Sequence, residues 1–349
     1  MTRRGTVTDL ISGLLDRGYT QTVQPVLNAI SQSTHTGLIK QRLAELHAES
    51  QRLAEAGQKL KPDNPVLRAL LADMEATMRA NALLADTAAQ PVQQSAISAA
   101  ATIQRQLALP GMTDTQLRAI GLVWNRPNPE AVARLVQYAQ SDAWAAALSK
   151  YGSDVLGIIG NQAIRGISLG WNPLRTAQEV ARLTQSLPQY QANNLLRTLQ
   201  LTSYRDATAV HQQANIHLAS QIIRIAARDL RTCLSCIDGH GDVLWDSERD
   251  AGTTIPRVDD HHSGRCTSVM RVTGRTLSIQ PGADWFAALP EARQRAQNSF
   301  KNSPGKFDAY QRGQVTLRDF RHVYTDPTFG PMLREASLTN ALANKNPQP

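Results

Sequence analysis

All three cysteines of this chain lie close together and in step with a histidine pair: Cys233-x2-Cys236-x24-His261-x4-Cys266, with His262 as a competing ligand. A CxxC turn aims two thiolates at one ion, and a later His and Cys complete a tetrahedron around zinc with no position left open. Such a site would supply folding energy to a loop-rich region. Three other chemistries compete. A redox pair would normally come with a thioredoxin-like βαβ context, which the pattern lacks. The cysteines could be buried and unconnected. Asp259, Asp260, His261 and His262, with Asp238, His240 and Asp242, could hold a metal-bound water beside a His base and form a metal-dependent nuclease. Against the nuclease, three thiolates and a histidine leave no site for water, and Asp and Gly at these places read as turn formers. There is no GxxxxGK[ST] loop, GxSxG elbow or HExxH helix, so the expectation is a structural zinc and not an enzyme.

Elements on both sides must position these ligands. "QIIRIAA" (221–227) has the β-branched content of a strand, and "DVLW" and "TSVMRV" are further strand candidates. A long helix is expected from about Pro188 to Ala219, preceded by a separate helix opening at Asn172-Pro173. Farther upstream, Ile39, Leu43, Leu46 and Leu53 form one helical stripe with Ser50 in the remaining turn, and Leu67, Leu70, Leu71, Met74 and Met78 form another. Asn64 is placed to cap the second helix, with Pro65 at its first position. These stripes read as core packing in a hairpin or bundle. "LALPGMTDTQ" is a break in which Pro110-Gly111 stops one helix and "TDTQ" starts the next with a capping box. "PEAVARLVQYAQSDAWAAALSKYG" continues the helical pattern, and "WFAALPEARQRAQNSF", "KFDAYQRG" and "TLRDFRHV" read as short helices before a disordered tail, "TNALANKNPQP".

The fold class expected is therefore mainly α, with a small α+β zinc-stabilised region and an N-terminal helical hairpin or bundle. The expected organisation is a helical N-terminal domain over 1–110, a helical domain over 111–220 ending in the long helix, a zinc-knuckle region over 221–280, and short helices with a flexible tail over 281–349. At 349 residues the chain has ample length for cores without disulfide staples, and an odd cysteine count fits a reducing compartment. "LISGLL" is too short for a signal-peptide core, and no window approaches a membrane span. A net charge of +8 favours anionic partners, although the charges are interspersed.

Four segments resemble the phage head morphogenesis family, the Mu F-like minor capsid proteins of tailed bacteriophages. They are "IRGISLGWNPLRTAQEVARLTQSLPQYQANNLLRTLQLTSYRDAT", with Arg197-Thr198; "IIRIAARDLRTCLSCIDGHG", with Asp229, Arg231, Thr232, Cys233, Cys236, Asp238 and Gly239; "IPRVDDHHSGRCTSVMRV"; and "WFAALPEARQRAQNSFKNSPGKFDAYQRGQVTLRDF". The resemblance spans roughly Gly152 to Phe320 and leaves the first 120 or so residues without a counterpart. Where the family often has Cys-Arg-Cys, this chain has Gly264-Arg265-Cys266, and the family register favours His261 over His262 as ligand. The resemblance implies a structural minor head protein in the virion interior near the portal vertex, made in the host cytoplasm. Its partners would be the portal protein, a major capsid or scaffolding protein, and packaged double-stranded DNA, held through non-specific phosphate contacts. Arg224, Arg228 and Arg231, beside the cysteines, are the candidate contacts for DNA or portal.

Overall fold

The computed structural model describes residues 7–35, 37–128, 130, 132, 141–262, 264–275 and 277–345. The described residues form two compact units, each drawn from separate stretches of chain. One comprises Gly18–Val92 and Tyr138–Leu199, the other Met1–Arg17, Gln93–Gln137 and Gln200–Pro349.

The first unit is helical. It takes residues from α1 (Val7–His35), α2 (Gly37–Glu55), α3 (Pro65–Ala108), α5 (Asp142–Ser168) and α6 (Pro173–Ala214). Most of both predicted stripes faces inward: Ile39, Leu46, Ser50 and Leu53 are buried on α2, and Leu67, Leu70, Met74 and Met78 on α3, while Leu43 and Leu71 are half-buried. Asn64 accepts hydrogen bonds from the backbone of Val66 and Leu67, the cap expected ahead of Pro65. Trp144 donates to Asp86 at 3.0 Å and the Tyr151 hydroxyl to the Pro188 carbonyl at 3.1 Å, so both large side chains are buried without orphaned polar atoms. One sequence reading needs correction. The helix opening at Pro173 and the long helix beyond Pro188 are one 42-residue element, with Pro188 inside it. Part of the stretch expected to be helical before Ser141 lies outside the described residues; from Asp142 onward it is α5, capped by Ser141.

The second unit contains the cysteines. Its centre is an antiparallel sheet ordered β2-β1-β3, from β1 (Ala219–Ile225), β2 (Val243–Asp246) and β3 (Thr267–Val272). Ile222 pairs with Trp245 on one side and Met270 on the other. These three pack with Leu218, Val272 and Trp124, and with Leu117 of the short α4 (Asp114–Ala119), whose Thr113–Gln116 capping box is present. A buried polar chain ties helices to sheet: Gln212 donates to Gln104, Gln104 to the Ser268 carbonyl, and the Ser268 hydroxyl to Gln212. Every member has a partner, so the chain fixes one arrangement without leaving unpaired groups.

The CxxC segment forms a short helix, α7 (Leu234–Asp238), with Cys233 at its N-cap. Helical spacing divides it into two faces. Cys233 and Cys236 turn toward the sheet side, where Cys236 packs with Ala226, Val258 and Cys266. Leu234 and Ile237 turn into an aromatic core of Phe286, Phe300, Phe307 and Phe320. That core is built by α8 (Gly282–Ala287), α9 (Glu291–Arg295), α10 (Asn298–Asn302) and α11 (Pro304–Gln311). A Cβ on Gly282 would lie 1.7 Å from the Ile237 carbonyl oxygen, so only glycine permits this approach of α8 to α7.

The C-terminal region departs from expectation. "TLRDFRHV" is a 3₁₀ turn leading into β4 (Arg321–Asp326), which pairs with β5 (Gly330–Glu335) in an antiparallel hairpin. The segment read as a disordered tail forms α12 (Leu338–Lys345), anchored by the fully buried Ala341; its last four residues lie outside the described set. Leu234→Ala should cost about 2–5 kcal/mol in urea unfolding, because it opens a cavity in this core. Val323→Ala, at a side chain 67 % exposed, should stay within about 0.5 kcal/mol of the parent protein.

Candidate metal centre

The structure brings Cys233, Cys236, His261 and Cys266 together, as two overlapping groups that share Cys236. In Cys233–Cys236–His261 and in Cys236–Asp260–Cys266, the candidate ligand atoms all lie within 4.8 Å of one another. Cys233 sulfur is 3.2 Å from His261 Nε2. His261 Nδ1 is 2.8 Å from the His262 carbonyl, which can only accept, so Nδ1 carries a proton and Nε2 is the nitrogen that could ligate an ion. His262 points elsewhere: its Nε2 lies 3.0 Å from Asp326 on β4, and its ring packs edge-on against Phe329. The alternative between the two histidines is thus resolved geometrically in favour of His261.

Asp260 organises the site. Its side chain is fully buried. Oδ1 accepts from the His261 backbone at 2.9 Å and from the Cys236 thiol at 3.1 Å. Oδ2 accepts from the Cys266 backbone at 2.9 Å and from Arg205 at 3.1 Å. Gly264 makes room for it: a Cβ there would fall 2.2 Å from Oδ2. The space a side chain at position 264 would take is therefore filled by the Asp260 carboxylate. Burial alone would raise the Asp260 pKa, yet Arg205, His261 and Arg224 hold it well below the usual carboxylate range.

Two arginines complete the charge pattern. Arg205, 3 % exposed on α6, also donates to the carbonyls of Cys266 and Gly264. Arg224 was expected at the surface as a contact for DNA or portal; it is instead buried in β1. It donates to the Asp259 carbonyl at 2.8 Å and stands 3.9 Å from the Cys236 sulfur. Arg228 and Arg231 are exposed. Arg228 reaches Gln280 and Arg231 lies 3.6 Å from Asp229.

The remaining motif residues hold the loops. Asp229 accepts from the backbone of Arg231 and the hydroxyl of Thr232, and Arg265 grips its carboxylate with two bonds of 2.7 Å. The "DLRTC" and "GRC" stretches are thereby tied together next to their cysteines. Glu335 on β5 accepts from the Leu234 amide at 2.8 Å, satisfying an N-terminal donor of α7. Arg197 lies over the Tyr19 ring, and the Thr198 hydroxyl bonds the Asn194 carbonyl, so the Arg-Thr pair serves the helical unit.

Hydrogen bonding from Cys236 and the neighbouring His261 draw the Cys233 thiol down to about 5, while bonding to Cys233 and Cys266 and full burial push Cys236 up. Burial works against charge on His261, but Cys233 and Asp260 lift it to about 10. An ion entering here must displace that proton, as cysteine and histidine ligands require. Apart from Asp260 and His261, which belong to the centre itself, the carboxylates and histidines of the nuclease reading have partners of their own. Asp238 and Asp242 both pair with Arg321, Asp259 with Arg257, and His240 is buried against the Ala226 backbone. Among the described residues, no helix is long and apolar enough to cross a membrane. Comparison of the chain with known families, curated proteins and solved structures gives no match.

The Arg265 fork holds the Asp229 carboxyl below its usual range despite partial burial. A depressed folded-state pKa stabilises above the ordinary value of about 4 and is lost as pH falls through the folded value. Asp229→Asn should therefore cost roughly 1 kcal/mol at pH 7, a figure discounted for screening because the side chain is 39 % exposed. The gap from the parent protein should narrow in urea titrations at about pH 3 and below.

Proposed function

We propose that this chain is a structural minor head protein of a tailed bacteriophage, acting at the portal vertex in head assembly and DNA packaging or delivery, with one structural zinc. The observation that carries the reading is the closed character of the cysteine site. Three sulfurs and one imidazole cluster in two overlapping groups that share Cys236, and the backbone amides and carbonyls around them are held by buried groups. Ligands so numerous and so sheltered suit an ion that holds strands and helices together, rather than one that activates water. Zinc would supply cross-linking of α7 to the loop before β3. The chain's own residues supply the tautomer of His261 and the Asp260 brace.

The fit of residue types is good: Cys and neutral His are zinc's preferred ligands, and the second-layer carbonyl on His261 is the usual means of orienting it. The order of long helix, strand, CxxC, His and Cys is the one the head morphogenesis resemblance implies. Arg228 and Arg231, exposed beside the site, are the side chains offered to DNA phosphates or an acidic portal surface. Binding of that kind reads no sequence and weakens steeply with salt.

Proteomic analysis of purified virions and procapsids should find the chain at a copy number fixed relative to the portal protein. Cys236→Ser should lose both zinc and incorporation. Absence of the chain from particles contradicts the assignment. So does DNA cleavage by the purified protein that survives Cys236→Ser and disappears in His262→Ala.

A further inference from the structure

A site with three thiolates and a carboxylate has a charge problem. The Asp260 oxygen lies 3.1 Å from the Cys236 sulfur. That contact is favourable while Cys236 is a thiol and becomes a meeting of two anions once Cys236 ligates a metal. Asp260 is not free to turn away, because its two oxygens already accept four hydrogen bonds, one of them from this thiol. Its lone pairs are engaged in holding the backbone of His261 and Cys266, so it serves as a brace and not as a ligand. Arg205 bonds the carboxylate from the side of α6. Arg224 is the cation aimed at the Cys236 sulfur, 3.9 Å away.

Resting on the zinc reading above, the geometry points to Arg224 as a charge-compensating positioning residue that makes this centre electrically neutral with a divalent ion. Three thiolates and Asp260 bring four negative charges; one divalent ion, Arg205 and Arg224 bring four positive ones. Neutrality matters because an unbalanced charge in a buried site is strongly unfavourable. Fixation matters as well. The Arg224 side chain is held by the Asp259 carbonyl and packs where a Cβ on Gly239 would lie 3.0 Å from its Nε, so it cannot swing to solvent without opening the site. An arginine that the sequence offers as a nucleic-acid contact is thereby reassigned to the metal's outer layer. The basic surface near the cysteines is correspondingly reduced to Arg228 and Arg231.

The test uses the full chain as wild type, Arg224→Gln and Arg224→Lys. Zinc affinity is measured by competition with a chromophoric chelator, and cobalt(II) loading reports thiolate ligation through its charge-transfer band. Arg224→Gln should bind zinc roughly 10–100-fold more weakly, the usual effect of losing an outer-layer partner, with a weakened cobalt–thiolate band. Arg224→Lys, which keeps the charge, should restore most of the affinity and the band. Equal affinities and spectra for wild type and Arg224→Gln overturn the inference while leaving the zinc centre standing. A wild-type chain that binds neither zinc nor cobalt overturns the zinc reading itself. Should Arg224→Gln be unfolded without metal, the zinc concentration needed to fold it replaces the affinity measurement, and a requirement equal to wild type overturns the proposal. Failure of both variants to fold at saturating zinc also overturns it, since guanidinium shape and not charge would then be the requirement.

Discussion

The buried ion pair between Arg205 and Asp260 is the constraint on which the cysteine unit turns. Arg205 belongs to the 42-residue helix α6, Asp260 to the loop before β3, and both are almost wholly removed from solvent. Two charges placed there are costly unless each is paired and hydrogen-bonded throughout. Here Arg205 bonds the carboxylate and two carbonyls, and Asp260 bonds two amides that belong to candidate ligands. The pair therefore spends its electrostatic energy on fixing His261 and Cys266, and breaking one member would leave the other uncompensated.

From that pair the rest follows outward. Gly264 is required because the carboxylate occupies the space of its side chain. α7 is wedged between two environments, its cysteines toward the polar centre and Leu234 and Ile237 in the aromatic core. Glu335 on the C-terminal hairpin caps α7, and Arg265 joins the two cysteine-bearing loops through Asp229. The candidate metal site, the sheet and the C-terminal core thus share residues, so a change at the site should be felt across this unit.

The sequence made the centre visible but not its scaffolding. Cys233, Cys236, His261 and Cys266 stand at recognisable spacings, and the strands "DVLW" and "TSVMRV" carry clear local signals. Asn64 and the Thr113 capping box were legible for the same reason: their partners lie two or three residues away. Arg205 and Asp260 were not, since they are 55 residues apart and nothing local marks their meeting. Arg224 looked like surface charge because a single strand sequence does not say which face is covered. The β4–β5 hairpin was hidden behind the helical appearance of "TLRDFRHV", although Asp326-Pro327 and Gly330 mark its turn. The tail looked too polar to fold, yet burial of Ala341 anchors it as a helix.

The central claim is that three sulfurs and one imidazole close around a single ion. X-ray absorption at the zinc edge of the purified chain measures this directly. The account predicts a four-coordinate first shell of three sulfurs at about 2.3 Å and one nitrogen at about 2.0–2.1 Å. A shell dominated by oxygen, or one carrying an exchangeable water, would contradict it.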